Sequence, residues 1–161
     1  VSYALSYAKP RSLLSTSLSA LLLLASSSLL AESSISVSEP YVRAVPPGTP
    51  NSAAFMTLTN KGSSDNALVS ATSPASKVVE LHTHTMDNGM MKMRQVEKID
   101  LPVGKSAVLE PGGLHVMLIG LTGDLKPGEQ VDLTLKFADG SEQQIKAPIK
   151  SLMGMKMPMK H

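Results

Sequence analysis

Val78-Val79-Glu80-Leu81-His82-Thr83-His84-Thr85-Met86-Asp87-Asn88-Gly89-Met90-Met91-Lys92-Met93-Arg94-Gln95-Val96 is the stretch on which the fold turns. At its centre Asn88-Gly89 is a strong two-residue hairpin signal, because both residues accept the positive φ that a tight turn between twisted strands demands. The flanks are rich in Val and Thr and carry no helical period, so they read as two antiparallel strands. With that turn, His84 falls opposite Met93 and Met86 opposite Met91, while His82 lies diagonally from Met93, within reach of a long side chain. Side chains two apart on a strand share a face. The hairpin therefore gathers His82, His84, Met86, Met91 and Met93 on one side, and a one-residue change in the turn would undo the register.

Outward from this hairpin the chain repeats the same grammar. Candidate strands are Ile35–Val42, Ala53–Thr59, Ala67–Ala71, Val78–Met86, Met91–Val96, Ser106–Leu109, His115–Leu121, Gln130–Phe137 and Glu142–Ala147. Between them stand Pro46-Pro47-Gly48, Asn60-Lys61-Gly62, Pro111-Gly112-Gly113, Lys126-Pro127-Gly128 and Asp139-Gly140, all turn-forming runs. Eight to nine short strands at this spacing predict an all-β sandwich or barrel. Trp is absent and only Phe55 and Phe137 represent Phe, so the core has to come from Val, Leu, Ile and Ala.

The two ends differ from the middle. Lys9 and Arg11 precede a run without charge from Ser12 to Leu30, closed by Leu29-Leu30-Ala31, which is the layout of a secretory signal peptide over residues 1–31. Its many Ser residues argue against a retained membrane anchor, so no stable membrane insertion is expected after cleavage. There is no Cys, hence no disulfide, no thiolate ligand and no expected lipid anchor. Once Lys9 and Arg11 leave with the leader, 13 basic residues face 13 acidic ones, and no basic patch argues for nucleic acid. The folded domain is expected over residues 32–149. Beyond it, residues 150–161 read as a flexible Met/His-rich tail, broken by Gly154 and Pro158.

The chemistry lies in the ten Met of the 161 residues. Met86, Met90, Met91 and Met93 cluster near His82 and His84; Met117 follows His115 by two; Met153, Met155, Met157 and Met159 precede His161. Met56 stands apart and reads as core. Thioether sulfur is a soft neutral ligand and imidazole a borderline one, a pairing that suits Cu(I) and not Mg or Ca. Zn takes His, Cys or carboxylate, and a blue-copper site needs the thiolate this chain lacks. No Gly-rich phosphate loop or nucleophile motif is present, so the chain is not read as an enzyme.

His82, ten residues, Met93, twenty-one residues, then His115-Val116-Met117 form a His…Met…His-x-Met pattern. It resembles the signature of the PCu(A)C family of periplasmic copper chaperones, including both long gaps. Val79-Glu80-Leu81-His82, Gly89-Met90-Met91-Lys92-Met93 and Pro111 to Leu118 are similar to the family as well, as are Arg43-Ala44-Val45-Pro46-Pro47-Gly48 and Ala54-Phe55-Met56. Tyr41, where the family places an early aromatic, is a mild departure. The likeness spans roughly residues 36–148. It implies a cupredoxin-like β-sandwich, a Cu(I) site of His82, Met93, His115 and Met117, and copper delivery to an oxidase copper subunit or a Sco-type protein.

Around that set the roles are less defined. His84 reads as a group behind the ligands, an alternative ligand or a solvent-facing residue. Met86, Met90 and Met91 read as an apolar shell or docking surface, with Met86 also a secondary ligand candidate. Met153, Met155, Met157, Met159 and His161 form a candidate second copper site, with His161 able to serve Cu(II). Glu80, Asp87 and Glu97 read as ordinary surface charges. The expectation is a monomeric, periplasmic copper chaperone for cytochrome c oxidase assembly; the alternative is a periplasmic copper-sequestering protein without a dedicated acceptor.

Overall fold

A computed structural model describes residues 33–152. The expected signal peptide and the tail residues Met153, Met155, Met157, Met159 and His161 lie outside the described residues. Ten strands follow one another: β1 (Ile35–Arg43), β2 (Asn51–Asn60), β3 (Asn66–Thr72), β4 (Ser76–Asp87), β5 (Met90–Gln95), β6 (Ile99–Leu101), β7 (Ser106–Leu109), β8 (His115–Leu121), β9 (Gln130–Phe137) and β10 (Glu142–Lys150). The expected all-β class holds, with ten strands in place of eight to nine. The addition is β6, which pairs with β3 through Asn66 to Leu68.

The strands bond in the order β5-β4-β8-β2-β1-β10-β9-β3-β6, with β7 on β2. The sheet is not closed: β5 and β6 end it. It folds back on itself at the short parallel contact of β1 with β10 (Val42 with Ile149, Arg43 with Lys150). β3 then lies beside β4, and β6 beside β7. Between the layers Leu58, Leu81, Val116 and Leu118 from one side meet Leu68, Leu133, Leu135 and Phe137 from the other. Met56 is 2% exposed and belongs to this core. Each such side chain taken from water contributes about 1.5–3 kcal/mol.

Alternation decides what remains for the outer face. On β2 the even residues Ala54, Met56 and Leu58 point to the core, so Ala53 and Phe55 point away from it. On β1, Ile35 and Val37 face the core, but further along it is Val42 that does. The parity changes at a bulge between Ser38 and Tyr41. Glu39 has φ 50° there and Pro40 has no N–H to give the ladder, so the irregularity falls where pairing would fail anyway. The bulge turns Tyr41 to the outer face, opposite Phe55. Asn60 ties the far end of β2 down from inside: its Nδ2 donates to the Ser64 and Leu101 carbonyls at 2.8 and 2.7 Å, and its Oδ1 accepts from Gly62 N–H at 2.9 Å.

Candidate metal centre

The hairpin β4–β5 closes at Asn88 and Gly89, whose φ values of 51° and 76° are both in the left-handed region a primed turn needs. His84 is opposite Met93, Met86 opposite Met91, and His82 opposite Gln95, the register expected from the turn. On its other side β4 pairs with β8, which sets His82 against His115 and Glu80 against Met117. Opposed residues of an antiparallel pair share a face. Leu81 and Val116, directly paired, belong to the core. His82, His84, Met93, His115 and Met117 are therefore together on the outer face of the same sheet, with Met86 and Met91 continuing the row toward the edge.

This face is not flat. The β1–β2 and β7–β8 connections rise on either side and enclose an open cavity of about 320 Å³. Arg43, His84, Met91, Met93, His115 and Met117 line it. Ser52 holds the first connection by donating its hydroxyl to the Arg43 carbonyl at 2.6 Å. Phe55 forms the floor, its ring 5.2 Å from Tyr41 and 6.3 Å from His115. Phe55 is 3% exposed yet lies outside the main core; its burial belongs to this pocket.

The three histidines are held differently. His115, 2% exposed, donates Nδ1–H to the Gly113 carbonyl at 3.0 Å. Burial pushes its pKa below the ordinary imidazole value; the Gly113 bond works the other way, and His84, His82 and Arg43 add to the lowering. The ring is thus neutral near pH 7, with a free lone pair on Nε2. His82 donates Nε2–H to Glu80 Oε2 at 2.7 Å. In the neutral ring its Nδ1 is then an acceptor, and that atom is buried without a hydrogen-bond partner. A carboxylate behind an imidazole whose other nitrogen is left free is the usual support of a metal ligand. His84 approaches the same Gly113 carbonyl through Nδ1 at 3.3 Å.

Among the described residues no three His, Asp or Glu side chains group so as to hold a metal ion on their own. Met93 and Met117 line the same cavity as His115, so the face offers thioether sulfur beside imidazole, the donor chemistry Cu(I) prefers. The orphaned Nδ1 and the thioethers fit such an ion. The structure corrects one reading: Glu80 is not an ordinary surface charge but the partner of His82. Asp87 is, paired on the exposed hairpin with Lys92 at 2.6 Å. Gly113, Phe55 and Arg43 also belong to the site, by the hydrogen bond to His115, the ring beside it and the cavity wall, and nothing in the sequence marks them for it. Only the fold, by bringing β8 between β2 and β4, gives them that place.

The family model described as "Putative lipoprotein LpqE-like" matches residues 35–149. "Putative lipoprotein Lxx21020" of Leifsonia xyli subsp. xyli is 36% identical over 121 residues, 74% of this chain and 72% of that protein. A solved structure, "Solution structure of CuI-DR1885 from Deinococcus Radiodurans", is 37% identical, covers 78% of this chain and 83% of that one, and superposes with a TM-score of 0.58. The "Copper-bound PCuAC domain from PmoF2" has a TM-score of 0.63 at 23% identity, covering 73% and 93% of the two chains, a likeness of fold. With the family match running through all ten strands and the cupredoxin-like fold in common, the chain belongs to the LpqE-like, PCu(A)C family.

Proposed function

We propose that this protein is an exported copper carrier that holds Cu(I) on the outer face of β4, β5 and β8 and passes it to another protein. The observation that carries this reading is the single cavity rim on which Met93, Met117 and His115 meet, backed by the orphaned Nδ1 of His82. His82, Met93, His115 and Met117 are the proposed ligands. Copper is cargo here, not a reagent, and the role is binding and transfer rather than catalysis. The Cu(I)-bound relative, 37% identical, supports the choice of metal. Export to the periplasm rests on the leader-like residues 1–31 and on relatives described as lipoproteins, although these 161 residues contain no Cys to carry a lipid.

Release follows from the ligand set. Four neutral donors leave Cu(I) with no charge-neutralising thiolate, so a partner offering Cys sulfur is the thermodynamically favoured acceptor. An oxidase copper subunit or a Sco-type protein is the proposed recipient. Met93, 47% exposed, is the ligand an incoming thiolate displaces first, while His115 stays seated.

Anaerobic competition with a chromogenic Cu(I) chelator tests the site. Wild-type full chain should bind one Cu(I) tightly, and His115→Ala and Met93→Leu should each weaken it by about tenfold or more. Undiminished affinity in both variants would remove the assignment. Tight binding without transfer to a Cys-bearing acceptor would favour the sequestration reading instead.

A further inference from the structure

We propose that His84 is a copper-binding residue in its own right, forming with His115 a second imidazole pair onto which Cu(I) steps from the His82–His115 pair on its way out. The inference rests on the copper reading above and adds a residue that the His…Met…His-x-Met pattern leaves out.

His84 and His115 share one acceptor. Both Nδ1 atoms lie within hydrogen-bond distance of the Gly113 carbonyl, at 3.3 and 3.0 Å. A carbonyl oxygen only accepts and has two lone pairs, so both Nδ1 atoms carry hydrogen. In the neutral ring Nε2 then holds the lone pair, the state in which an imidazole ligates a metal. A backbone carbonyl behind Nδ1 is also the common way a metal-binding His is oriented. The His84 and His115 rings are 5.1 Å apart at their centroids, closer than the 5.8 Å between His82 and His115.

Position gives the pair its direction. His84 faces Met93 across the hairpin, and both line the cavity, whereas His82 does not and has its Nε2 engaged by Glu80. Exposure rises along the row: His115 is 2% exposed, Met93 47% and Met91 61%. His82 is thus the inner alternative and His84 the outer one, with His115 common to both. His115 stands 5.1 Å from the His84 ring and 5.8 Å from the His82 ring, and in the proposed step the metal pairs it with one of them at a time. The step breaks the Cu–N bond to His82 Nδ1 and forms one to His84 Nε2. Copper stays Cu(I), and between neutral rings no proton moves.

Cu(I) is diamagnetic, so imidazole ¹⁵N spectra of the full-length protein read each ring directly. Before copper, His84 and His115 should both show the Nδ1–H tautomer. On anaerobic titration with Cu(I), the Nε2 signals of His84 and His115 and the Nδ1 signal of His82 should shift. His84→Ala should keep one bound Cu(I) but release it to a chelator about tenfold more slowly or worse, and His82→Ala should still bind through His84. Shifts at His82 and His115 with His84 Nε2 unmoved, or release from His84→Ala at the wild-type rate, would overturn the proposal and leave the carrier reading standing. No shift at any histidine and no bound copper would instead remove the carrier reading itself.

Discussion

Glu80 stands behind His82 as Gly113 stands behind His115, and each acceptor decides which imidazole nitrogen is left for other work. A supporting carboxylate raises ligand basicity and fixes the ring, and removing it typically costs ten- to hundredfold in metal affinity. Glu80→Ala should therefore weaken Cu(I) binding about tenfold in chelator competition while His82 itself is untouched; equal affinity would mean that His82 is not held by this contact. His115 carries a second consequence. Its folded pKa is lowered, by burial first, so below the unfolded value of about 6.5 the unfolded chain binds the proton more readily. The stability it contributes is complete above that pH and is lost as pH falls through the depressed folded value. Urea unfolding of the copper-free protein between pH 8 and pH 5 should show wild type losing ground relative to His115→Gln over that window. Parallel pH profiles would show that the imidazole is not buried as a neutral group.

At the scale of elements, the site depends on a strand that contributes nothing to the core. All six residues of β5 are exposed; the strand pairs with β4, and its register there is set by the Asn88-Gly89 turn. One Gly inserted between Asn88 and Gly89 should send Met91 and Met93 to the opposite face. Cu(I) affinity should then drop by about tenfold or more, while the unfolding free energy changes by no more than about 0.5 kcal/mol; a large loss of stability would show that β5 is structural. This turn is also why the hairpin half of the site was legible in the sequence: two residues fix every cross-strand pair from His82 to Met93. The meeting of His82 with His115 was not legible from the residues in the same way, because β4 and β8 are joined only by long-range pairing, and the resemblance alone placed them together. Glu80 escaped for a related reason, since a single acidic residue between Val79 and Leu81 looks the same whether or not an imidazole stands beside it. β6 escaped because Ile99-Asp100-Leu101 offers one alternation before Pro102, too little to separate a strand from a loop. The β1 bulge was written in Glu39-Pro40, but its effect on Tyr41 exists only once Phe55 is opposite.

Across the whole molecule, one sheet carries the core on one face and the candidate metal centre on the other, so stability and the proposed binding fall to alternate residues of the same strands. Leu81 and Val116 hold the layers together, while His115 and Met117, on either side of Val116, face the cavity. The opposite layer, with Leu135 fully buried on β9, touches the site only through the core. Leu135→Ala should cost about 2–5 kcal/mol through the lost contacts and the cavity left behind, with Cu(I) affinity unchanged in the folded protein. Met93→Leu should do the reverse, leaving stability within about 0.5 kcal/mol and weakening copper. Ligand linkage makes the two measurable in one experiment: at a free Cu(I) concentration 1,000 times Kd the folded state gains about 4 kcal/mol. Copper should then raise the unfolding midpoint of Leu135→Ala by as much free energy as it raises wild type, because distant changes add, and should raise Met93→Leu by less. If copper instead stabilised Leu135→Ala by a smaller amount at the same excess, the two layers would be coupled, and the outer face would owe its ligand geometry to the packing beneath it.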